Sequence, residues 1–143
     1  MSVTSTLHVN LRGNAKQALE FYRSVFGGDV VAIPYGSAPA GQEPDQAEQI
    51  AWGQVVSPSG FHVMAYDVQG SKPYDQGRNP YYLSLRSTDA EEITRYWNGM
   101  RPSAVDVEVE LGPSIFSPLY GKLTDQFGVT WIIDVIVPWS PAE

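Results

Sequence analysis

Leu7-His8-Val9-Asn10-Leu11-Arg12, followed by a helical stretch containing Phe21-Tyr22, returns later in the chain. The second appearance is Tyr81-Tyr82-Leu83-Ser84-Leu85-Arg86, followed by a helical stretch containing Tyr96-Trp97. The match continues downstream. Ile50-Ala51-Trp52-Gly53-Gln54 parallels Pro118-Leu119-Tyr120-Gly121-Lys122, and Ser59-Gly60-Phe61-His62-Val63-Met64 parallels Phe127-Gly128-Val129-Thr130-Trp131-Ile132. A unit present twice predicts two similar modules, here about residues 3–69 and 81–137, with a linker over 70–80 and a tail over 138–143. Two pseudo-symmetric copies tend to share a cleft to which each supplies equivalent positions.

Local patterns assign the elements. Residues 3–11 alternate with period two, placing Leu7, Val9 and Leu11 on one face and His8, Asn10 and Arg12 on the other. Asn14 is positioned to cap a helix whose apolar stripe is Ala15, Ala18, Leu19, Tyr22, Val25 and Phe26, ended by Gly27-Gly28. Strands are expected at about 30–35, 49–57 and 61–68, the last two joined by Ser57-Pro58-Ser59-Gly60. Residues 36–47 read as a long loop, and the cluster Glu43, Asp45 and Glu48 in and just after it as solvated carboxylates. In the second copy a strand at 81–87 leads to a helix capped by Thr88 or Asp89, with Glu91 and Glu92 in capping-box positions. Ile93, Trp97 and Met100, with Tyr96 beside them, form that helix's buried stripe, and Arg101-Pro102 ends it. Strands follow near 105–111, 119–125 and 129–137. Each copy therefore reads β-α-β-β-β. The helices cover the Leu7-Val9-Leu11 and Leu83-Leu85 faces, which leaves the opposite faces free to line a cleft.

Composition narrows the function classes. Hydrophobic residues at 43% suffice for a packed core, which argues against a disordered chain. A formal net charge of −7 disfavours nucleic acid, whose phosphates need Lys and Arg. The absence of cysteine removes disulfides, thiolate nucleophiles and Cys-based metal sites. No apolar run approaches a membrane span and no signal peptide is evident, so a cytoplasmic protein without membrane partners is expected. Neither a phosphate-binding glycine loop nor a nucleophile elbow is present.

Two stretches resemble the vicinal oxygen chelate superfamily, and within it the PhnB-like branch of glyoxalase/bleomycin-resistance proteins. They are Gly13-Asn14-Ala15-Lys16-Gln17-Ala18-Leu19-Glu20-Phe21-Tyr22 with Val25-Phe26-Gly27-Gly28, and Gly121-Lys122-Leu123-Thr124-Asp125-Gln126-Phe127-Gly128-Val129-Thr130-Trp131. The resemblance covers roughly residues 6–137. It implies an α+β fold: two βαβββ modules forming a curved mixed sheet around a cavity, one helix packed outside each module, often in a homodimer. It also implies a divalent metal with His and Glu ligands from the first and last strands of each module, acting as a Lewis acid on a substrate with two neighbouring oxygens.

The residues at those positions depart from the pattern. The first-strand positions read as His8 and Tyr82, and the last-strand positions as Met64 and Ile132, or Tyr66 and Asp134 one step along. Met64 and Ile132 are no ligands for a hard cation. Any metal site would have to draw on His8, His62 and Asp134, against the simpler reading of a hydrogen-bonded wall histidine, a strand histidine and a carboxylate in an ion pair with Arg12, Arg86 or Lys122. The cavity candidates are His8, Asn10, Trp52, Gln54, Tyr66, Tyr82, Ser84, Tyr120, Lys122 and Asp134, either a small-molecule pocket or aromatic filler. Trp131 faces away, beneath the helix. The leading expectation is a dimeric small-molecule-binding protein without cofactor or metal. A metal-dependent glyoxalase-type lyase or isomerase, an extradiol-type dioxygenase and a non-catalytic structural dimer stand as alternatives, so whether a reaction is catalysed stays open.

Overall fold

The short alternating segment Leu7–Leu11 forms strand β1, and its buried members are Val9 and Leu11. Helix α1 (Ala15–Phe26) follows, then β2 (Asp29–Pro34), β3 (Ile50–Val56) and β4 (His62–Asp67). The second set comprises β5 (Leu83–Ser87), α2 (Ala90–Met100), β6 (Asp106–Gly112), β7 (Tyr120–Thr124) and β8 (Thr130–Val135). The computed structural model describes residues 4–37, 47–77 and 81–138. Most of the loop expected over 36–47, with Glu43 and Asp45, lies outside the described residues, as do parts of the 70–80 linker and the 138–143 tail.

The chain divides into two compact units, residues 1–78 and 79–143. Each is a four-stranded mixed sheet, ordered β1-β4-β3-β2 in the first and β5-β8-β7-β6 in the second. In both, the first strand runs parallel to the last, and the remaining neighbours are antiparallel. The duplication is thus one of topology as well as sequence.

Each helix lies on one sheet face through its apolar stripe: Ala15, Ala18, Leu19, Tyr22 and Phe26 in α1, and Ile93, Tyr96, Trp97 and Met100 in α2. Equivalent glycines admit one side chain from each helix stripe. A Cβ on Gly53 would lie 2.5 Å from Leu19 Cδ1, and one on Gly121 would lie 2.6 Å from Trp97 Cζ3. The close helix approach therefore explains why the Trp-Gly-Gln and Tyr-Gly-Lys triplets match across the copies. The two hairpin turns also match. Gly60 and Gly128 adopt φ of 100° and 90°, a conformation that glycine reaches without steric penalty.

One capping expectation is corrected and the other holds in part. Asn14 occupies the cap position of α1 but makes no side-chain cap hydrogen bond. The cap comes from a distant strand instead. Asp67, only 2% exposed at the end of β4, accepts from Gly13 N at 2.7 Å and Ala15 N at 3.1 Å through Oδ1, and from Ile50 N at 2.8 Å through Oδ2. Helix α2 is capped locally by Asp89, which accepts from the Glu91 and Glu92 amides. The reciprocal half of the capping box does not form: Asp89 N donates to Ser87 Oγ, while Glu92 accepts from the Tyr96 hydroxyl.

Candidate functional site

The face of each sheet turned away from its helix carries the sequence-predicted candidates. In the first unit the residues alternate cleanly. Val9, Leu11, Gly53, Val55, Val63 and Ala65 are buried toward α1, whereas His8, Asn10, Trp52, Gln54, Met64 and Tyr66 point to the open side. Strand register sets their order. Val31 pairs with Gln54, Gln54 with Met64 and Met64 with His8, forming one row across four strands. Asn10 pairs with Tyr66 in the next row. Apolar side chains remain partly uncovered at the β2–β3 side, with Val31 at 42%, Ile33 at 40% and Trp52 at 37% exposure.

Polar groups on this face are organised by hydrogen bonds. His8 Nδ1 lies 2.9 Å from Asn10 Oδ1. A carboxamide oxygen only accepts, so in the neutral imidazole the His8 proton sits on Nδ1 and Nε2 presents its lone pair. The His8 ring packs edge-on against Tyr66, with centroids 5.2 Å apart. His62 is occupied at both nitrogens: Nε2 lies 2.9 Å from Gln54 Oε1, and Nδ1 lies 3.1 Å from Thr6 Oγ1. By the same logic Nε2 donates to Gln54, and Nδ1 accepts from the Thr6 hydroxyl.

The open face of the second unit is different in kind. Ser84 pairs with Ile132 and Ile132 with Lys122; Arg86 pairs with Asp134 and Asp134 with Tyr120. Arg86 grips the buried Asp134 through Nε at 3.0 Å and Nη2 at 3.4 Å. Of the three partners considered for Asp134, Arg86 is the one the fold supplies. Lys122 bonds Glu108 at 2.6 Å and lies 4.4 Å from the Tyr82 ring centroid. The hydrogen bond to Glu108 holds the Lys122 pKa above its ordinary value, although burial opposes the shift. Tyr82 precedes β5 rather than lying within it. Trp131 is fully buried, as its alternation predicts, and donates to Asp125 Oδ2 at 2.9 Å.

The register corrects one equivalence. His8 lies opposite Met64 as Ser84 lies opposite Ile132, so the counterpart of His8 is Ser84, two residues beyond Tyr82. A shift of two leaves every side chain on the same face, so alternation could not reveal it. Arg12 also leaves the expected set. Its guanidinium donates to the carbonyls of Val68, Gln69 and Lys72 and lies 5.2 Å from the Tyr74 ring centroid, tying residues 68–74 to the end of β1.

Two buried carboxylates escaped sequence reasoning. Asp67 is the helix cap described above. Asp125, fully buried, accepts from the Phe127 and Val129 amides and the Trp131 indole. Both serve structure. Their only sequence signal is an acidic residue beside apolar strand positions.

The first unit, the second unit and the duplicated topology define a known class. The chain belongs to the Glyoxalase/Bleomycin resistance protein/Dioxygenase superfamily, whose family model matches residues 7–133. Among its relatives is protein YjdN of Escherichia coli (strain K12), 24% identical over 138 residues, covering 90% of this chain and 92% of the relative. Protein PA1353 from Pseudomonas aeruginosa superposes with a TM-score of 0.82 at 27% identity, covering 94% of this chain and 98% of that one. The PhnB protein from Bacillus cereus has the same fold, with a TM-score of 0.73 at 21% identity over 94% of this chain and 100% of that one.

The divalent metal implied by the family resemblance would need His and carboxylate donors at the first- and last-strand positions. His8 offers a free Nε2, but Met64, Ser84 and Ile132 occupy the related positions. His62 has both nitrogens engaged, and Asp134 is held by Arg86. Among the described residues no three His, Cys, Asp or Glu side chains form a group able to hold a metal ion. Among the described residues these side chains do not supply the His and carboxylate set that such a metal uses.

Proposed function

We propose that this protein binds a small organic molecule on the open sheet face of its first unit, without the metal used by enzymes of its superfamily. The observation that carries the reading is the juxtaposition on that face of Trp52, Met64 and Tyr66 with His8, Asn10 and Gln54. An apolar and aromatic floor with a few convergent polar groups is the usual chemistry of a small-molecule site. On the second unit's open face the charged groups Arg86, Asp134, Lys122 and Glu108 are spent on one another. A homodimer and a cytoplasmic location belong to the same proposal; the first rests on the family resemblance and the second on the sequence reading, and sedimentation and fractionation test them. No helix among the described residues is long and apolar enough to cross a membrane.

The test is a fragment screen by ligand-observed NMR on wild type, Trp52→Ala and His8→Ala. Hits lost in Trp52→Ala support the site. A hit set indifferent to both substitutions refutes it. A metal-dependent lyase, isomerase or dioxygenase has one observation in its favour: Asn10 orients His8 by its Nδ1 proton, as partners of metal-bound histidines do. That reading requires metal-dependent hits lost in His8→Ala.

A further inference from the structure

The Thr6–His62–Gln54 chain has a consequence for what the open face recognises. Gln54 Oε1 is held by the His62 Nε2 proton at 2.9 Å, and His62 Nδ1 is in turn held by the Thr6 hydroxyl at 3.1 Å. A carboxamide whose oxygen is fixed has its nitrogen fixed as well. The two amide N–H donors of Gln54 have no partner among the described residues and are available to a ligand. Across Met64 in the same row stands His8, whose Nε2 lone pair is an acceptor because Nδ1–H is committed to Asn10. Strand spacing separates the Gln54 and His8 backbones by about 10 Å, two interstrand steps, with Met64 between them.

We infer that this face recognises a neutral, planar carboxamide-like group, one that accepts a hydrogen bond from Gln54 and donates one to His8, with His62 as the positioning residue that sets the polarity. The inference rests on the small-molecule reading above. No counter-charge argues for an ionic ligand. The Gln54 carboxamide and the His8 ring in its imidazole form carry no charge, and the nearby cation Arg12 is engaged by three carbonyls. A carboxylate would meet the Nε2 lone pair of His8, and an amidinium would meet the N–H donors of Gln54.

Three probes of one shape separate the possibilities: benzamide, benzoate and benzamidinium, titrated into 15N-labelled full-length protein. The readouts are the Trp52 indole and the Gln54 side-chain NH2 correlations. Benzamide should shift both and bind about fivefold more tightly than either ion, the order expected from one net hydrogen bond. In His62→Ala the preference should collapse while the Trp52 response to benzamide persists. In Gln54→Glu, where a carboxylate takes the His62 proton and leaves an acceptor outward, benzamidinium should become the preferred probe. Probes that move Trp52 with equal affinity, or with benzoate preferred, overturn the recognition inference and leave the binding reading standing. If no probe moves Trp52, both fall. A preference unchanged in His62→Ala and in Gln54→Glu removes the positioning role.

Discussion

Replacing Asp67 tests the account of how the first unit is held together. Its carboxylate joins three segments far apart in sequence: the turn before α1 at Gly13 and Ala15, the start of β3 at Ile50, and the end of its own strand β4. In Asp67→Ala the Ala15 and Ile50 amides, both in buried bonds, lose their acceptor. At about 1–3 kcal/mol for each buried donor left unsatisfied, the loss is about 2–6 kcal/mol. Removing a negative charge from the α1 N-terminus adds about 0.3–1 kcal/mol. That is a large part of the roughly 5–15 kcal/mol that holds a domain folded. Asp67→Asn should also be costly, because its amide must turn a donor toward one of three donors. The control is Asp89→Ala at the exposed local cap of α2, expected to cost about 0.5–2 kcal/mol. Urea unfolding followed by circular dichroism measures both, and hydrogen exchange at Ala15 and Ile50 localises the effect. A loss below about 1 kcal/mol for Asp67→Ala, or one no greater than that of Asp89→Ala, would refute the reasoning, since the buried donors would then have found other partners.

Further expectations follow from the same geometry. Gly53→Ala and Gly121→Ala should each destabilise by about 1–3 kcal/mol through overpacking against Leu19 and Trp97, as thermal unfolding would show. Arg12→Ala should speed amide exchange in residues 68–74 with little effect on α2, because its three carbonyl contacts lie in that segment. Stability should fall at alkaline pH. Lys122, raised above 10.5 chiefly by Glu108, stabilises fully below that value and loses the contribution as pH rises through its folded pKa. Tyr35, raised above 10.0 chiefly by burial, acts in the same direction because its neutral phenol donates to the Asp67 carbonyl. Glu108→Gln should therefore flatten the alkaline decline above pH 10.5, measured as Tm against pH.

The architecture was legible because both of its periodicities are strong. Val9 and Leu11 against His8 and Asn10, and the α1 and α2 stripes, declare which face is covered and which is open. The duplicated turns and glycines show that the pattern occurs twice. What stayed hidden depends on contacts distant in sequence. Asp67 caps a helix 52 residues earlier, and no local pattern announces that. The Ser84 counterpart of His8 was missed because a period of two is blind to shifts of two. For the candidate site, the shared face of His8, Asn10, Trp52, Gln54 and Tyr66 was readable from alternation. The Thr6–His62–Gln54 hydrogen bonds were not, because they depend on rotamers across neighbouring strands. Asp134 shows the intermediate case: an ion pair was predictable in kind, but choosing Arg86 over Arg12 and Lys122 required the β5–β8 register.

The most direct test of metal-free ligand binding is native mass spectrometry of untagged protein purified without chelator. The account predicts a protein mass without stoichiometric divalent metal, and a carboxamide-containing probe retained by wild type but lost in Trp52→Ala. A stoichiometric divalent metal that disappears in His8→Ala would contradict it.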